Sequence, residues 1–137
     1  MQDREYEIVH SLPSVADYCR LRQLTGLSAK SHEAASRGLP RSLFAVQVLY
    51  QNQTVAMGRV IGDDGCFYQI TDIAVLPEHQ GRGLAKQIMQ SIVDYLQQHA
   101  PASAYVSLLA DGEAQHLYAK FGFSPTAPAS VGMFRKF

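Results

Sequence analysis

Apolar and polar positions alternate with period two over Tyr6–Val9, over Phe44–Tyr50 and over 54–61, and a longer apolar-rich run over 66–75 closes at Val75. Period two is the signature of strands that bury a face. Gln51-Asn52-Gln53 separates the second run from the third, and Asp63-Asp64-Gly65 separates the third from the fourth. Short polar turns of this kind join antiparallel neighbours, so these three runs read as a meander. Helical spacing takes over at Val15, Tyr18, Cys19 and Leu21/Arg22, opened by Pro13-Ser14 and ending near Gly26. It recurs at Leu84, Ile88, Ile92 and Leu96, over 84–99.

A short helix is expected over 31–37 and a last one over 113–121, closed by Gly122. Between the last two helices, 104–109 reads as a strand set off by Pro101. A strand, helix, strand unit is right-handed and parallel, which aligns 104–109 with the strand ending at Val75. Residues 133–137 read as an edge strand. The resulting order, β-α-α-β-β-β-α-β-α-β, is a mixed α/β sheet with helices on both faces, built as a single domain over 1–137.

Composition narrows the function classes. The chain has 137 residues, with 12 basic and 12 acidic side chains and a formal net charge of zero. No global field therefore favours nucleic acid or a membrane surface. No apolar run approaches a membrane span, and the polar start Met1-Gln2-Asp3-Arg4-Glu5 does not read as a signal peptide, so a cytoplasmic protein is expected. Cys19 and Cys66 lack metal or redox spacing and read as reduced, packed thiols. The 5 histidines show no ligand rhythm, and no metal is expected.

Chemistry concentrates at Gln80-Gly81-Arg82-Gly83-Leu84-Ala85, where strand passes to helix. Gly81 can adopt positive φ and Gly83 carries no Cβ, so the amides of 81–85 can converge on one point. A helix start has unpaired N–H groups and a partial positive charge, which suit a phosphate, and Arg82 adds a full charge. The spacing is neither that of a Walker A loop nor of G-x-G-x-x-G.

The run Asp72-Ile73-Ala74-Val75-Leu76-Pro77-Glu78-His79-Gln80-Gly81-Arg82-Gly83-Leu84-Ala85 resembles motif A of the GCN5-related N-acetyltransferases (GNAT), with its Q/R-x-x-G-x-G/A core. Leu117-Tyr118-Ala119-Lys120-Phe121-Gly122-Phe123 resembles the family's motif B, L-Y-x-K-x-G-F. The resemblance covers residues 66–123 and implies a fold in which the two parallel strands splay apart and acetyl-CoA lies in the gap. It implies that the pyrophosphate rests on the amides of Gln80, Gly81, Arg82, Gly83, Leu84 and Ala85, and that the backbone of Ile73, Ala74 and Val75 holds the pantetheine arm. One strand N–H there would polarise the thioester carbonyl. Tyr118 matches the family tyrosine that protonates the leaving thiolate.

Two positions depart from the pattern. The glutamate base of the histone enzymes is replaced by Gln69, which leaves Asp72 as the strand carboxylate. Asp72 is read as the base, with an orienting or hydrogen-bonding role, or a water wire, as alternatives. Asp111 stands where the family often has Asn, keeping an acceptor for the cofactor but losing the donor, and it can also cap the helix that follows. Ala114 is the small residue expected against the cofactor arm, and Ser107 is a weaker contact.

The expected activity is direct transfer from acetyl-CoA, without an acyl-enzyme, to the primary amine of a small molecule: an amino sugar, polyamine, arylalkylamine or amino acid. Phe67 and Tyr68 either line an aromatic pocket for it or belong to the core. Alternatives are a protein or peptide amine acceptor and a CoA-binding sensor without turnover. By analogy with the family, a homodimer through sheet edges is expected.

Overall fold

The computed structural model describes residues 5–137. One sheet runs in the order β1 (Tyr6–Val9), β2 (Phe44–Tyr50), β3 (Gln53–Gly62), β4 (Phe67–Val75) and β5 (Tyr105–Ser107). The first four strands are antiparallel, and β5 lies parallel to β4. The helices are α1 (Val15–Leu24), α2 (His32–Gly38), α3 (Leu84–His99) and α4 (Ala114–Ala119).

Local chemistry sets these boundaries. The hydroxyls of Ser14 and Ser31 accept from the N–H groups of Asp17 and Ala34, each at 3.0 Å, which starts α1 and α2. Gln51 and Asn52 both take positive φ, 51° and 64°, as a tight hairpin turn demands. Asp63 Oδ1 accepts from the N–H groups of Gly65, Cys66 and Phe67 and so shapes the turn into β4.

The apolar face of α3 buries Leu84, Ile88, Met89, Ile92 and Leu96 against a core that includes Val46, Val48, Val60 and Ala74. Each such side chain gains about 1.5–3 kcal/mol relative to exposure. Close approach depends on Gly58 in β3, because a Cβ there would lie 2.6 Å from Ile88 Cγ2 and 3.2 Å from Ile92 Cδ1. A mid-strand glycine thus fixes the depth at which α3 sits.

Two expectations change. No strand follows Ser107 among the described residues, so the edge strand expected at 133–137 does not form. The segment makes no ladder pairing, and Met133, Phe134 and Phe137 stand exposed. Cys66 is exposed rather than packed, although both cysteines are free thiols. No helix among the described residues is long and apolar enough to cross a membrane.

Candidate active site

The site begins with an irregularity between β3 and β4. Met57 pairs with Ala74 and Arg59 with Thr71, so Asp72 and Ile73 together oppose Gly58 alone. This is a β-bulge, and Asp72 takes φ 62° within it. Left-handed backbone is costly for most side chains, and aspartate is among those that tolerate it best.

Beyond the bulge, β4 loses its parallel neighbour. Strands β4 and β5 share only the pairs Phe67–Tyr105, Tyr68–Val106 and Gln69–Ser107. From Ile70 to Val75 the strand borders a cleft of about 670 Å³, walled on the far side by Leu108, Leu109, Asp111, Ala114 and Tyr118. The α1–α2 connection, at Thr25, Gly26, Leu27 and Ser28, and Arg22 from α1 complete the lining.

At one end of the cleft lies the glycine turn. Gln80 Nε2 donates to the Val75 carbonyl at 3.1 Å, which draws the turn back onto the end of β4. Gly81 and Gly83 both have φ 79°, and a Cβ on either would meet nothing within 4 Å. Both are therefore required for conformation and not for space, whereas the sequence reading assigned that reason to Gly81 alone. Gln87 N–H bonds to the Gly83 carbonyl at 3.1 Å, and the amides before it belong to the open first turn of α3. The Arg82 guanidinium lies 6.0 Å from the Tyr6 ring centroid, at the same end. Leu84 is core by its side chain and contributes to this mouth only through its backbone.

A buried polar cluster stands behind the bulge. Asp72 Oδ2 accepts from the Tyr18 hydroxyl at 2.9 Å and from Arg59 Nε at 2.6 Å, while Oδ1 accepts from Arg22 Nη1. Arg22 also donates from Nε to the Ser28 carbonyl at 2.7 Å and from Nη2 to Ser28 Oγ at 2.9 Å, and Arg59 Nη1 donates to Ser42 Oγ at 3.1 Å. Burial, reinforced by the Asp72 charge, raises the Tyr18 hydroxyl pKa, and the two guanidiniums pull the other way. Tyr18 is thus a neutral donor to a carboxylate that both arginines already hold.

Tyr118 is half-buried in the cleft wall. Burial first, and then the Asp111 carboxylate, raise its hydroxyl above the ordinary value, so it is protonated at neutral pH. Asp111 does not cap α4 with its side chain; its carbonyl accepts from Ala114 N–H at 3.0 Å in the turn leading to the helix.

Of the residues singled out in the sequence, the cleft gathers Gln69, Asp72, Ile73, Ala74, Val75, Gln80, Asp111, Ala114 and Tyr118. Ser107 is not among its lining, and neither are Phe67 and Tyr68: Tyr68 is core and Phe67 is exposed. Sequence reasoning missed Tyr18, Arg22 and Arg59 as site residues. A usable signal existed only for Arg59, a charged residue between Gly58 and Val60 in an otherwise apolar strand.

The Acetyltransferase (GNAT) domain family matches residues 41–125. Among curated proteins, the chain is 31% identical over 84 residues to GCN5-related N-acetyltransferase 2, chloroplastic, of Arabidopsis thaliana, spanning 61% of this chain and 32% of that protein. It is 27% identical over 100 residues to an uncharacterized N-acetyltransferase, ycf52, of Porphyra purpurea, spanning 70% and 56%. The matched part is thus about a third to a little over half of these relatives. A probable acetyltransferase from methicillin-resistant Staphylococcus aureus superposes with TM-score 0.93 at 45% identity, covering 96% of this chain and 99% of that one. Glucosamine-6-phosphate N-acetyltransferase of Arabidopsis thaliana shares the fold at TM-score 0.69 and 19% identity, covering 96% and 98%. So does ribosomal-protein-S18-alanine N-acetyltransferase of Escherichia coli, at 0.70 and 21%, covering 87% and 77%. One is named for an amino sugar and the other for a protein residue, so the shared fold leaves the acceptor undecided.

Proposed function

The chain belongs to the GNAT acetyltransferase family, and from that premise we propose that it transfers an acetyl group from acetyl-CoA directly to the primary amine of a small molecule. The observation that carries this reading is the parting of β4 and β5 after Gln69–Ser107, with the glycine turn at one end of the opening and Tyr118 on its wall. Strand amides without a neighbouring strand suit the amides of a pantetheine arm, and the turn amides of 80–85 suit a diphosphate.

Each residue then has a part. The backbone of Ile73, Ala74 and Val75 orients the thioester, and an N–H among them stabilises the oxyanion. The amine nitrogen, once deprotonated, attacks the carbonyl carbon; a C–N bond forms and the C–S bond breaks. Tyr118 gives its proton to the departing thiolate, the nitrogen sheds its remaining excess proton to solvent as the amide forms, and solvent reprotonates the tyrosinate. Ala114 leaves room beside the donor, and Asp111 flanks Tyr118.

Asp72 serves this reaction as an anchor rather than as the base first expected. Its two oxygens already accept from Arg22, Arg59 and Tyr18, which take three of its roughly four lone-pair sites and tie the carboxylate to the scaffold. By the same bonds it fixes the bulge that separates the strands. Gln69 accepts no proton usefully, and the amine loses its own to solvent in the cleft or to Asp111.

A homodimer remains part of the proposal. Strand β5 is a sheet edge, and Met133, Phe134 and Phe137 are exposed nearby in sequence to the domain's end. Light scattering on the purified protein tests it: twice the chain mass supports it and a monomer at all concentrations refutes it.

Thiol release from acetyl-CoA across a panel of small primary amines tests the activity. Amine-dependent release with stoichiometric N-acetyl product supports the reading. Tight acetyl-CoA binding with no amine-dependent release from any small amine overturns it.

A further inference from the structure

The cluster behind the bulge holds more positive charge than its structural task requires. Among the described residues, Asp72 is the only acidic side chain that pairs with either Arg22 or Arg59. Two guanidiniums therefore share one carboxylate, and their side chains are only 9% and 16% exposed. Guanidinium stays ionised at ordinary pH, and a surplus charge with little access to water is costly unless a counter-charge reaches it. One arginine is enough to fasten Asp72; the second leaves an excess.

Arg22 shows where the counter-charge comes from. It lines the cleft together with Ser28, whose carbonyl and hydroxyl aim its guanidinium. N–H groups on its Nη atoms remain beyond those spent on Asp72 and Ser28. Across the cleft, on the wall formed after β5, stands Asp111 beside Tyr118, the one other carboxylate in the lining. The cleft is therefore positive on the α1 wall and negative on the α4 wall.

Resting on the acetyltransferase reading above, we propose that the acceptor is a small zwitterion, a primary amine that also bears a carboxylate or phosphate. Its anion docks against Arg22 and the Ser28 hydroxyl, and its ammonium is received by Asp111 next to Tyr118. Size agrees, because a cavity of about 670 Å³ must also admit the thioester end of the donor. Polyamines and plain arylalkylamines bring only positive charge to a wall already in excess, and the same arrangement rejects them.

Calorimetric titration of matched pairs into the CoA-saturated protein tests this. The probes are the common amino acids against their carboxamides, and glucosamine 6-phosphate against glucosamine, so that the two arms separate carboxylate from phosphate. At least one anionic member is expected to bind about 10-fold or more tightly than its anion-free partner. Arg22→Gln abolishes that preference. Because loss of Arg22 also disturbs Asp72, Asp111→Asn is the second variant: it weakens both members of the preferred pair and leaves the preference between them. Equal or tighter binding by the anion-free members, or no binding by any anionic member at millimolar concentration, overturns the proposal. Thiol release on the same pairs keeps the two readings apart. Discrimination in binding without release refutes acetyl transfer and leaves only the zwitterion-binding site, whereas equal kcat/KM for both members refutes the assignment and leaves the transfer.

Discussion

Arg59 Nε donates to Asp72 Oδ2 at 2.6 Å across the bulge between β3 and β4, just past the point where β4 parts from β5. The bond joins the middle of β3 to the one left-handed residue of β4, so the shape of the cleft depends on a charge pair behind it. Asp72→Asn leaves one buried and one half-buried guanidinium without a carboxylate and is expected to cost about 3–5 kcal/mol. Arg59→Met should cost clearly less, since Arg22 still balances Asp72. Urea unfolding of the two variants decides it, and equal losses would remove the surplus-charge argument.

Gly81 and Gly83 set the turn by conformation alone. Alanine at either position should cost about 1–2 kcal/mol of local strain, without a clash to relieve. Folding should survive while the acetyl-CoA Kd rises, as measured by calorimetry. Gly58→Ala should behave in the opposite way, losing about 1–3 kcal/mol to overpacking against Ile88 and Ile92.

Tyr118→Phe is expected to lower kcat by about 10²-fold or more with little change in acetyl-CoA affinity. Burial and Asp111 both hold the Tyr118 proton, so its pKa is raised and the acid form persists above the ordinary range. The alkaline fall in kcat thus lies at higher pH in the native enzyme than a tyrosine of ordinary pKa would give. Asp111→Asn removes the carboxylate contribution, and the alkaline limb should move to lower pH. A limb that stays in place in Asp111→Asn, or a full rate in Tyr118→Phe, contradicts the assignment.

Asp63 offers a pH test of the scaffold. The N–H groups of Phe67 and Gly65 hold its carboxyl below the ordinary range, so its folded pKa is depressed. Its contribution is present above the unfolded value of 3.8 and is lost as pH falls through the folded one. The stability gap between native protein and Asp63→Ala should be constant from pH 7 to 5 and narrow progressively as pH falls below 3.8. A gap that does not narrow as pH falls below 3.8 would contradict this account.

Period and punctuation made most of the fold legible. Strand alternation over Phe44–Tyr50 and the helical spacing from Leu84 to Leu96 gave elements whose bounds agree closely with the structure. Motif residues likewise placed Val75, Gln80 and Tyr118 on one cleft. What escaped was whatever depends on partners distant in sequence. Arg22 and Asp72 are 50 positions apart, and Arg59 meets Asp72 only because β3 and β4 are in register. Nothing local to Asp72 announces that it is already paired, so it read as a free base. The strand expected at 133–137 had no alternation behind it, and the segment stays exposed and unpaired.

Amide hydrogen exchange with and without acetyl-CoA tests the central claim most directly. Protection concentrated at 73–75 and 81–85 is the predicted result, with little change along the outer strands β1 and β2. Saturable acetyl-CoA binding that leaves both segments unprotected would contradict it.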